Sequence, residues 1–387
     1  MTFALQMSKK GKILVAMSGG IDSSVAAMLL HEQGYEVIGM TMKTWDYATS
    51  GGARKTTGCC SLDDINDARN LAVSRGFHHM ILDIREEFGD FIIDNFVDEY
   101  LSGRTPNPCI MCNTHIKWDA LLKRADMLGC DLIATGHYAN KREENGRHII
   151  SKGLDQNKDQ SYVLWGLSQE ALARTIFPLG GFTKPEIRQM ALDQGFPELA
   201  KKNESYEICF VPDNDYRGFL SRRVEGLTDL LDGGDFVDAS GTVIGKHKGF
   251  PFYTIGQRKG LGKAFGEPMF VTKIDPKTNT VTLGREDELL GHSMYVRNPN
   301  FQKLTEVEDG REAVTKIRYN NKGAMSRLYN EPDGRIRVEF DHNVSAIAPG
   351  QSAVFYDGDD VIGGGFIARS EEIPMDFSKK IIAGEKV

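Results

Sequence analysis

The first two hundred residues alternate short apolar runs with amphipathic segments, and that alternation leaves few folds open. KILVAM (12–17) reads as a buried strand and DSSVAAMLLHEQG (22–34) as a helix closing on Gly34. YEVIGMTM (35–42) follows as a strand, and SLDDINDARNLAVSRG (61–76) as a helix whose Ser61 and Asp64 suit a capped first turn. HHMILDI (78–84) is a third strand and CDLIATGHYA (130–139) a fourth, with helices over 88–103 and 116–129 between them. Strands that alternate with helices pair in parallel and are covered on both faces. Ligands of such sheets lie beyond the carboxyl ends of the strands.

After about residue 210 the texture changes. PMFVTKIDPKTNTVTLG, AVTKIRYN, GRIRVEF and AVFYDGDDVIGGGFIA are short β-type runs separated by Asp-Gly, Asn-Thr and Gly-Gly turns. The expected organisation is α/β: a parallel-sheet domain over 1–210, a central linking domain over 211–285 and an antiparallel β-barrel over 286–387.

Composition narrows the function classes. No apolar run approaches the roughly 20 residues a membrane helix needs, and the first lysines follow the N-terminal apolar stretch, unlike a secretory signal. Six cysteines in 387 residues are too sparse for a disulfide scaffold, so reduced thiols in a cytoplasm are expected. The net charge of −7 argues against indiscriminate nucleic-acid binding. A local basic run nevertheless stands out: Lys246, Lys248, Arg258, Lys259 and Lys263, with no acidic residue between Ala239 and Gly266. It reads either as a solvated loop or as a phosphate-binding face.

The string AMSGGIDSS (16–24) sits where the first strand hands over to the first helix. It lacks the Gly-Lys-Ser/Thr ending of the common ATPase loop and the spacing of the dinucleotide fingerprint. Ser18, Gly19 and Gly20 let backbone N–H groups close around an anion, and Ser23 and Ser24 add hydroxyls at the positive end of a helix. Without a lysine in the loop to grip a γ-phosphate, the arrangement suits a pyrophosphate leaving group, with Asp22 placed to hold Mg2+ against it. The string resembles the PP-loop of ATP pyrophosphatases, enzymes that adenylate a carbonyl oxygen.

Further strings resemble the tRNA-specific 2-thiouridylase family, which converts the wobble uridine of certain tRNAs to 2-thiouridine. They include MTMKTW (40–45), CCSLDDINDARNLA (59–72), TPNPCIMCNTHIKW (105–118), NKDQSYVLW (157–165), ESYEICFVPDNDYRGFL (204–220), GKHKGFPFYTIGQRKGLG (245–262) and APGQSAVFY (348–356). Carried over position by position, the resemblance implies that Ala16, Met17, Ser18, Gly19, Gly20, Ile21, Asp22 and Ser23, with Met42 and Gly136, contact ATP. It implies that Cys112 is the first catalytic cysteine and that Cys209 is the second, which carries a persulfide. Asn107, Pro108 and Cys109 fall where the family meets the target base. His137, Lys158, Asp159, Gln160, Arg318, Tyr319 and Gln351 match tRNA-contacting positions. The implied partners are the anticodon loop of a tRNA and a sulfur donor, either a cysteine desulfurase or a relay protein. A monomer is the default expectation.

This chemistry asks for adenylation of a poor electrophile, uridine C2, followed by attack of soft sulfur. A persulfide on Cys209 supplies the sulfur, and Cys112 then takes the S–S bond apart by exchange. The family pattern usually has aspartate where this chain has Cys109, so the pair Cys109/Cys112 leaves three uses open. A structural zinc site lacks a second C-x-x-C pair. An iron–sulfur cluster on Cys109, Cys112 and Cys209 would leave one iron open for sulfide. The preferred reading is persulfide chemistry on Cys112 and Cys209, with Cys109 an accessory thiol or a tolerated substitution. Cys130 reads as core, and Cys59 and Cys60 as shaping a loop before a helix.

Overall fold

A computed structural model of the chain describes residues 10–45, 62–202, 208–211, 214–263 and 265–369; Cys59, Cys60 and Ser61 lie outside them. The chain divides into two compact units. One comprises Met1–Asp98, Asn107–Leu230 and Asp359–Val361, and the other Glu99–Pro106, Leu231–Gly358 and Ile362–Val387.

The first unit begins with β1 (Lys12–Ala16), α1 (Ile21–Glu32), β2 (Glu36–Lys43), α2 (Leu62–Arg75) and β3 (His78–Asp83). Next come α3 (Arg85–Phe88), a π-helical turn at Gly89–Ile93 and α4 (Asp94–Leu101). After them lie α5 (Pro108–Cys112), a second π-helical turn at Asn113–Lys117 and α6 (Trp118–Leu128). The chain continues through β4 (Leu132–Ala134), the hairpin β5 (Ala139–Glu144) and β6 (Arg147–Lys152), α7 (Gln169–Ala173) and β7 (Thr175–Ile176). The helices α8 (Lys184–Asp193), α9 (Pro197–Lys201), α10 (Tyr216–Arg223) and α11 (Leu227–Leu231) complete the run.

Among the described residues the sheet runs β3-β2-β1-β4-β7, parallel at every pairing. Strand order reverses between β1 and β4, which opens a crevice at their carboxyl ends. The central strand β1 is hydrophobic throughout its middle because both faces are covered: Ile13, Leu14 and Val15 are fully buried. Truncating Ile13 or Leu14 to alanine would cost ~2–5 kcal/mol. The helix α1 packs its Val25, Ala26, Met28 and Leu30 into the same core, with Ala68, Leu71 and Ala72 of α2.

The expected strands and helices of the first 76 residues coincide with β1, α1, β2 and α2 apart from their ends, and Gly34 has the positive φ (91°) that stops a helix. Two expectations differ. The helix foreseen over 88–103 is interrupted by the π-helical turn at Gly89–Ile93. The fourth strand covers only Leu132–Ala134, because the chain must leave the sheet to bring Gly136 against α1, and Ala139 already opens the β5–β6 hairpin. Tyr138 and Ala139 are apolar and buried for that second reason, so the run 130–139 read as one strand.

In the second unit β8 (Gly234–Val237), β9 (Val243–His247), β10 (Phe270–Asp275) and β11 (Thr280–Gly284) form a sheet in the order β10-β11-β8-β9. It continues with β12 (Leu290–Phe301), β13 (Arg311–Lys316), β14 (Ala324–Asn330), β15 (Ile336–Ser345), β16 (Ser352–Asp357) and β17 (Asp360–Ala368). These strands run β12-β15-β14-β13-β16-β17, and the pairing of β17 with β12 closes the ring. Alternate residues Ile336, Val338 and Phe340 of β15 point inward, with Val296, Leu328, Phe355 and Ile367. Closure removes the exposed strand edges. Among the described residues no helix is long and apolar enough to cross a membrane.

Candidate nucleotide and sulfur-transfer site

The crevice between β1 and β4 is lined by the Ser-Gly-Gly loop. The Ser18 N–H donates to Ser23 Oγ (3.0 Å), and the Ser23 hydroxyl lies 3.2 Å from the Gly20 carbonyl it donates to, so the loop folds back over the start of α1. Among the described residues no side chain caps that helix start, which leaves its first N–H groups to an anion. Gly19 has φ +75°, and a Cβ there would stand 2.1 Å from the Asp64 carbonyl oxygen. Gly136, just past β4, would place a Cβ 2.7 Å from the Ser23 nitrogen. Both glycines let backbone meet backbone where a phosphate cradle needs it. Gly19→Ala is therefore expected to destabilise the fold by more than about 1 kcal/mol, from the left-handed backbone alone, and to abolish nucleotide binding. Thermal unfolding and ATP titration check both effects.

Two lysines converge on the loop. Lys184, the first residue of α8, is buried, and its ammonium donates to both carboxylate oxygens of Asp22 (2.7 and 2.9 Å). The Tyr138 hydroxyl donates to the same carboxylate (2.6 Å), and Lys184 lies over the Tyr138 ring. Lys202, just beyond α9, donates to the Gly19 carbonyl (3.0 Å) and to Asp64 (2.8 Å) and pairs with Asp67. Burial works against its charge, but the hydrogen bonds and charges of Asp64 and Asp67 outweigh it and move its pKa up. Lys202 thus stays protonated beside the loop. Two lysines distant in the sequence stand beside a loop that contains none. Met42, near the end of β2, is half-buried, and the Met17 N–H still pairs with the Met40 carbonyl (2.8 Å).

The thiols stand on short, anchored pieces. Asn107 caps α5 by accepting from the Ile110 N–H, and Pro108 occupies a first-turn position where no N–H is needed. Cys109 is exposed and Cys112, one turn on, is buried. Although the residue is exposed, desolvation of its thiol by surrounding protein pushes the Cys109 pKa up, while Lys117 opposes the shift. Cys209 is half-buried beside Phe210, whose ring packs edge-on against Phe88 and Phe96 and also meets Trp45 and Phe219. Cys109, Cys112, Cys130 and Cys209 are all unbridged. Cys130 is core, its thiol pKa raised chiefly by burial.

Among the described residues no group of three or more His, Cys, Asp or Glu side chains could hold a metal. Cys109, Cys112 and Cys209 are not gathered as an iron–sulfur cluster requires, and the residues present do not fit one. Asp22 has hard carboxylate oxygens of the kind that suit Mg2+, and the Lys184 ammonium holds both of them here.

The positions matched to tRNA contacts divide between the units. His137 is packed against Trp118 and Phe177, with Nδ1 2.8 Å from the Thr135 hydroxyl; burial, with Lys117 adding to it, lowers its pKa to about 3. It is neutral at physiological pH and cannot act there as a cation. Asp159 is buried and accepts from the N–H groups of Gly153 and Ser161 and the Ser161 hydroxyl, so it shapes its own loop. Gln160 accepts from the Tyr138 N–H (2.9 Å), which ties its loop to the residue that touches Asp22, and Lys158 is half-buried. In the second unit Arg318 donates to the Ile255 and Ala346 carbonyls, and Tyr319 is exposed. Gln351 donates to the carbonyls of Thr105 (3.0 Å) and Pro106 (3.2 Å), the residues before Asn107. The same 99–106 strap carries a buried cluster in which Glu99 accepts from Arg104 and Arg297. The basic run is exposed at Lys246, Lys248, Arg258, Lys259 and Lys263, although Lys246 pairs with Asp235 and Lys263 donates to the Ile244 carbonyl.

Residues 11–213 match the family model described as "tRNA methyl transferase HUP domain", 220–285 "tRNA methyl transferase PRC-barrel domain" and 291–367 "Aminomethyltransferase beta-barrel domain". The "tRNA-specific 2-thiouridylase MnmA" of Amoebophilus asiaticus is 64% identical over 368 residues, which cover 95% of this chain and 97% of that protein. Proteins of the same name from Cytophaga hutchinsonii (63% over 365 residues, 94% and 99% covered) and Salinibacter ruber (57% over 364 residues, 93% and 95% covered) are also similar. Among solved structures, a 4-thiouridine synthetase–RNA complex with bound ATP matches at a TM-score of 0.35 and 20% identity, covering 57% of this chain and 52% of that one. That last likeness is too slight to bear on function. A parallel-sheet domain of the HUP type, a central PRC-barrel-like domain and a closed antiparallel barrel make up this mixed α/β chain. With curated relatives above 60% identity along nearly its whole length, the chain belongs to the tRNA-specific 2-thiouridylase family.

Proposed function

We propose that this protein is an ATP-dependent tRNA-uridine 2-sulfurtransferase that adenylates the C2 oxygen of the wobble uridine and replaces it with sulfur from a Cys209 persulfide. The observation that carries the reading is that the glycine cradle and the unbridged thiols Cys112 and Cys209 belong to one compact unit. The nucleotide's phosphates lie against Ser18 to Ser23, with Gly19 and Gly136 giving backbone access and Met42 beside the base. Lys184 and Lys202 offset the phosphate charge. Asp22 is the residue that would hold Mg2+, which would supply positive charge beside the pyrophosphate.

The target uridine leaves its stack to reach the nucleotide, which a single-stranded anticodon loop permits at low cost. Asn107, Pro108 and Cys109 meet that base, and His137 offers a neutral imidazole. Lys158, Asp159, Gln160, Arg318, Tyr319 and Gln351 border the tRNA path, some of them by fixing the backbone that touches it. The exposed lysines and arginine of 246–263 add phosphate contacts, so affinity falls with salt. Once C2 carries the adenylate, the Cys209 persulfide attacks it and AMP leaves. Cys112 then attacks Cys209 Sγ, releasing sulfur on the base and leaving a Cys112–Cys209 disulfide. A cysteine desulfurase or relay protein reloads Cys209, and the protein works as a cytoplasmic monomer. The unbridged thiols favour sulfur transfer over the methyl transfer named in the matched domain descriptions, since a methyl donor needs neither a persulfide carrier nor a pyrophosphate-binding loop.

The test is substrate dependence. Pyrophosphate release from ATP is expected with unmodified tRNA and not with glutamine, aspartate or citrulline. Release driven equally by one of those small acids would replace this reading with that of a small-molecule ligase.

A further inference from the structure

Resting on the function proposed above, we infer that Cys109 is a resolving thiol, which moves the disulfide left by each turnover from Cys112–Cys209 to Cys109–Cys112, where a dithiol reductant can reach it.

The inference comes from the differing exposure of three unbridged thiols. Cys112 is 5% exposed and Cys209 half-buried, so a bond between them presents little sulfur surface to an outside reductant. Thiol–disulfide exchange needs direct approach of the attacking sulfur, and access limits its rate. Cys109 is exposed and lies one helical turn before Cys112 on α5. Residues three apart on a helix stand about 5–6 Å apart at Cβ. A disulfide brings Cβ atoms to roughly 4 Å, so closing the pair asks only a small adjustment of a short helix. The turn that follows, Asn113–Lys117, is π-helical and is not held to the regular α repeat. Burial raises the Cys109 thiol pKa and works against the thiolate, and the Lys117 ammonium offsets only part of that rise.

The exchange balances without an oxidant. The Cys109 thiolate attacks Cys112 Sγ, the Cys112–Cys209 bond breaks, and Cys209 leaves as a thiolate ready for the next sulfur. The two oxidising equivalents, delivered originally by the persulfide, now reside in the Cys109–Cys112 disulfide. A dithiol reductant removes them by a second exchange and is itself oxidised to a disulfide.

Persulfide-loaded full-length protein given ATP, Mg2+ and tRNA without reductant makes one turnover, after which free thiols are alkylated and disulfides mapped by mass spectrometry. The expected product is a Cys109–Cys112 bond with Cys209 alkylated. Cys109→Ser should retain a Cys112–Cys209 bond after its single turnover, and its steady-state rate with limiting dithiol should fall about tenfold or more relative to its own first turnover. Cys109 found alkylated in wild type, with Cys112 bonded to Cys209, would overturn the resolving role and leave the sulfur-transfer reading intact. Undiminished steady-state turnover by Cys109→Ser would overturn it equally. Loss of the first turnover from loaded wild-type protein would instead remove the proposed function itself, and this inference with it. A reconstituted cluster on the three cysteines that proves obligatory for turnover would also end the proposal.

Discussion

Cys209→Ser and Cys112→Ser are each expected to yield no detectable 2-thiouridine while both still bind ATP and tRNA. The loss differs in kind. Without Cys209 there is no carrier, so no sulfur label from a persulfide donor should remain on the protein at this site. Without Cys112 the carrier loads, but the S–S link to the base has no thiol to cleave it. Serine keeps nearly the volume of cysteine, and Cys209 is only half-buried, so the Cys209 variant should fold as wild type does. Cys112 is buried and its replacement puts a hydroxyl in that place, at about 1–3 kcal/mol if no hydrogen bond forms. Cys112→Ala is the control that separates chemistry from folding. Thiouridine formed by the Cys209 variant, measured by mass spectrometry of tRNA nucleosides, would remove the persulfide role from that residue.

Asp22→Ala should abolish ATP-dependent pyrophosphate release, and the same change should destabilise the fold. The carboxylate is bound by the buried Lys184 ammonium and the Tyr138 hydroxyl, so its removal takes away a partner from both. Breaking a fully buried pair costs ~3–5 kcal/mol; Asp22 is 33% exposed, and about half that is expected. Pairing Asp22→Ala with Lys184→Met separates the two effects. The double variant should recover much of the lost stability, since the lysine no longer needs a counter-charge, yet remain without pyrophosphate release. Recovery of turnover in the double variant would mean that Asp22 serves Lys184 rather than the nucleotide.

The residues most readable from the sequence were those whose role is local. The loop SGGIDSS fixed its own place because small residues, a preceding buried strand and a following helix are all neighbours in the chain. The barrel strands were legible in outline for the same reason, as period-two runs between turn residues. Lys184 was not. Its surroundings, Thr183 to Glu186, announce a capping box at a helix start, and nothing in them says that the ammonium reaches Asp22, 162 positions earlier. Lys202 is likewise a surface-like lysine in sequence and a partner of the Gly19 carbonyl in the fold. Gln351 matched a tRNA-contacting position in APGQSAVFY, and nothing in that string says that its amide holds the carbonyls of Thr105 and Pro106. Long-range polar pairing of this sort carries no periodicity, so no pattern in one segment reveals it. The C-x-x-C spacing had the opposite character: several chemistries share it, and the unequal exposure of Cys109 and Cys112 is a feature the spacing does not foretell.

Purified protein should be incubated with ATP, Mg2+, unmodified tRNA and a cysteine desulfurase supplied with cysteine, and the tRNA then digested and its nucleosides weighed by mass spectrometry. New 2-thiouridine at the wobble position, absent when ATP or the desulfurase is withheld, is the expected result. Unaltered uridine at that position, from protein that binds both ATP and tRNA, would contradict the sulfur-transfer reading directly.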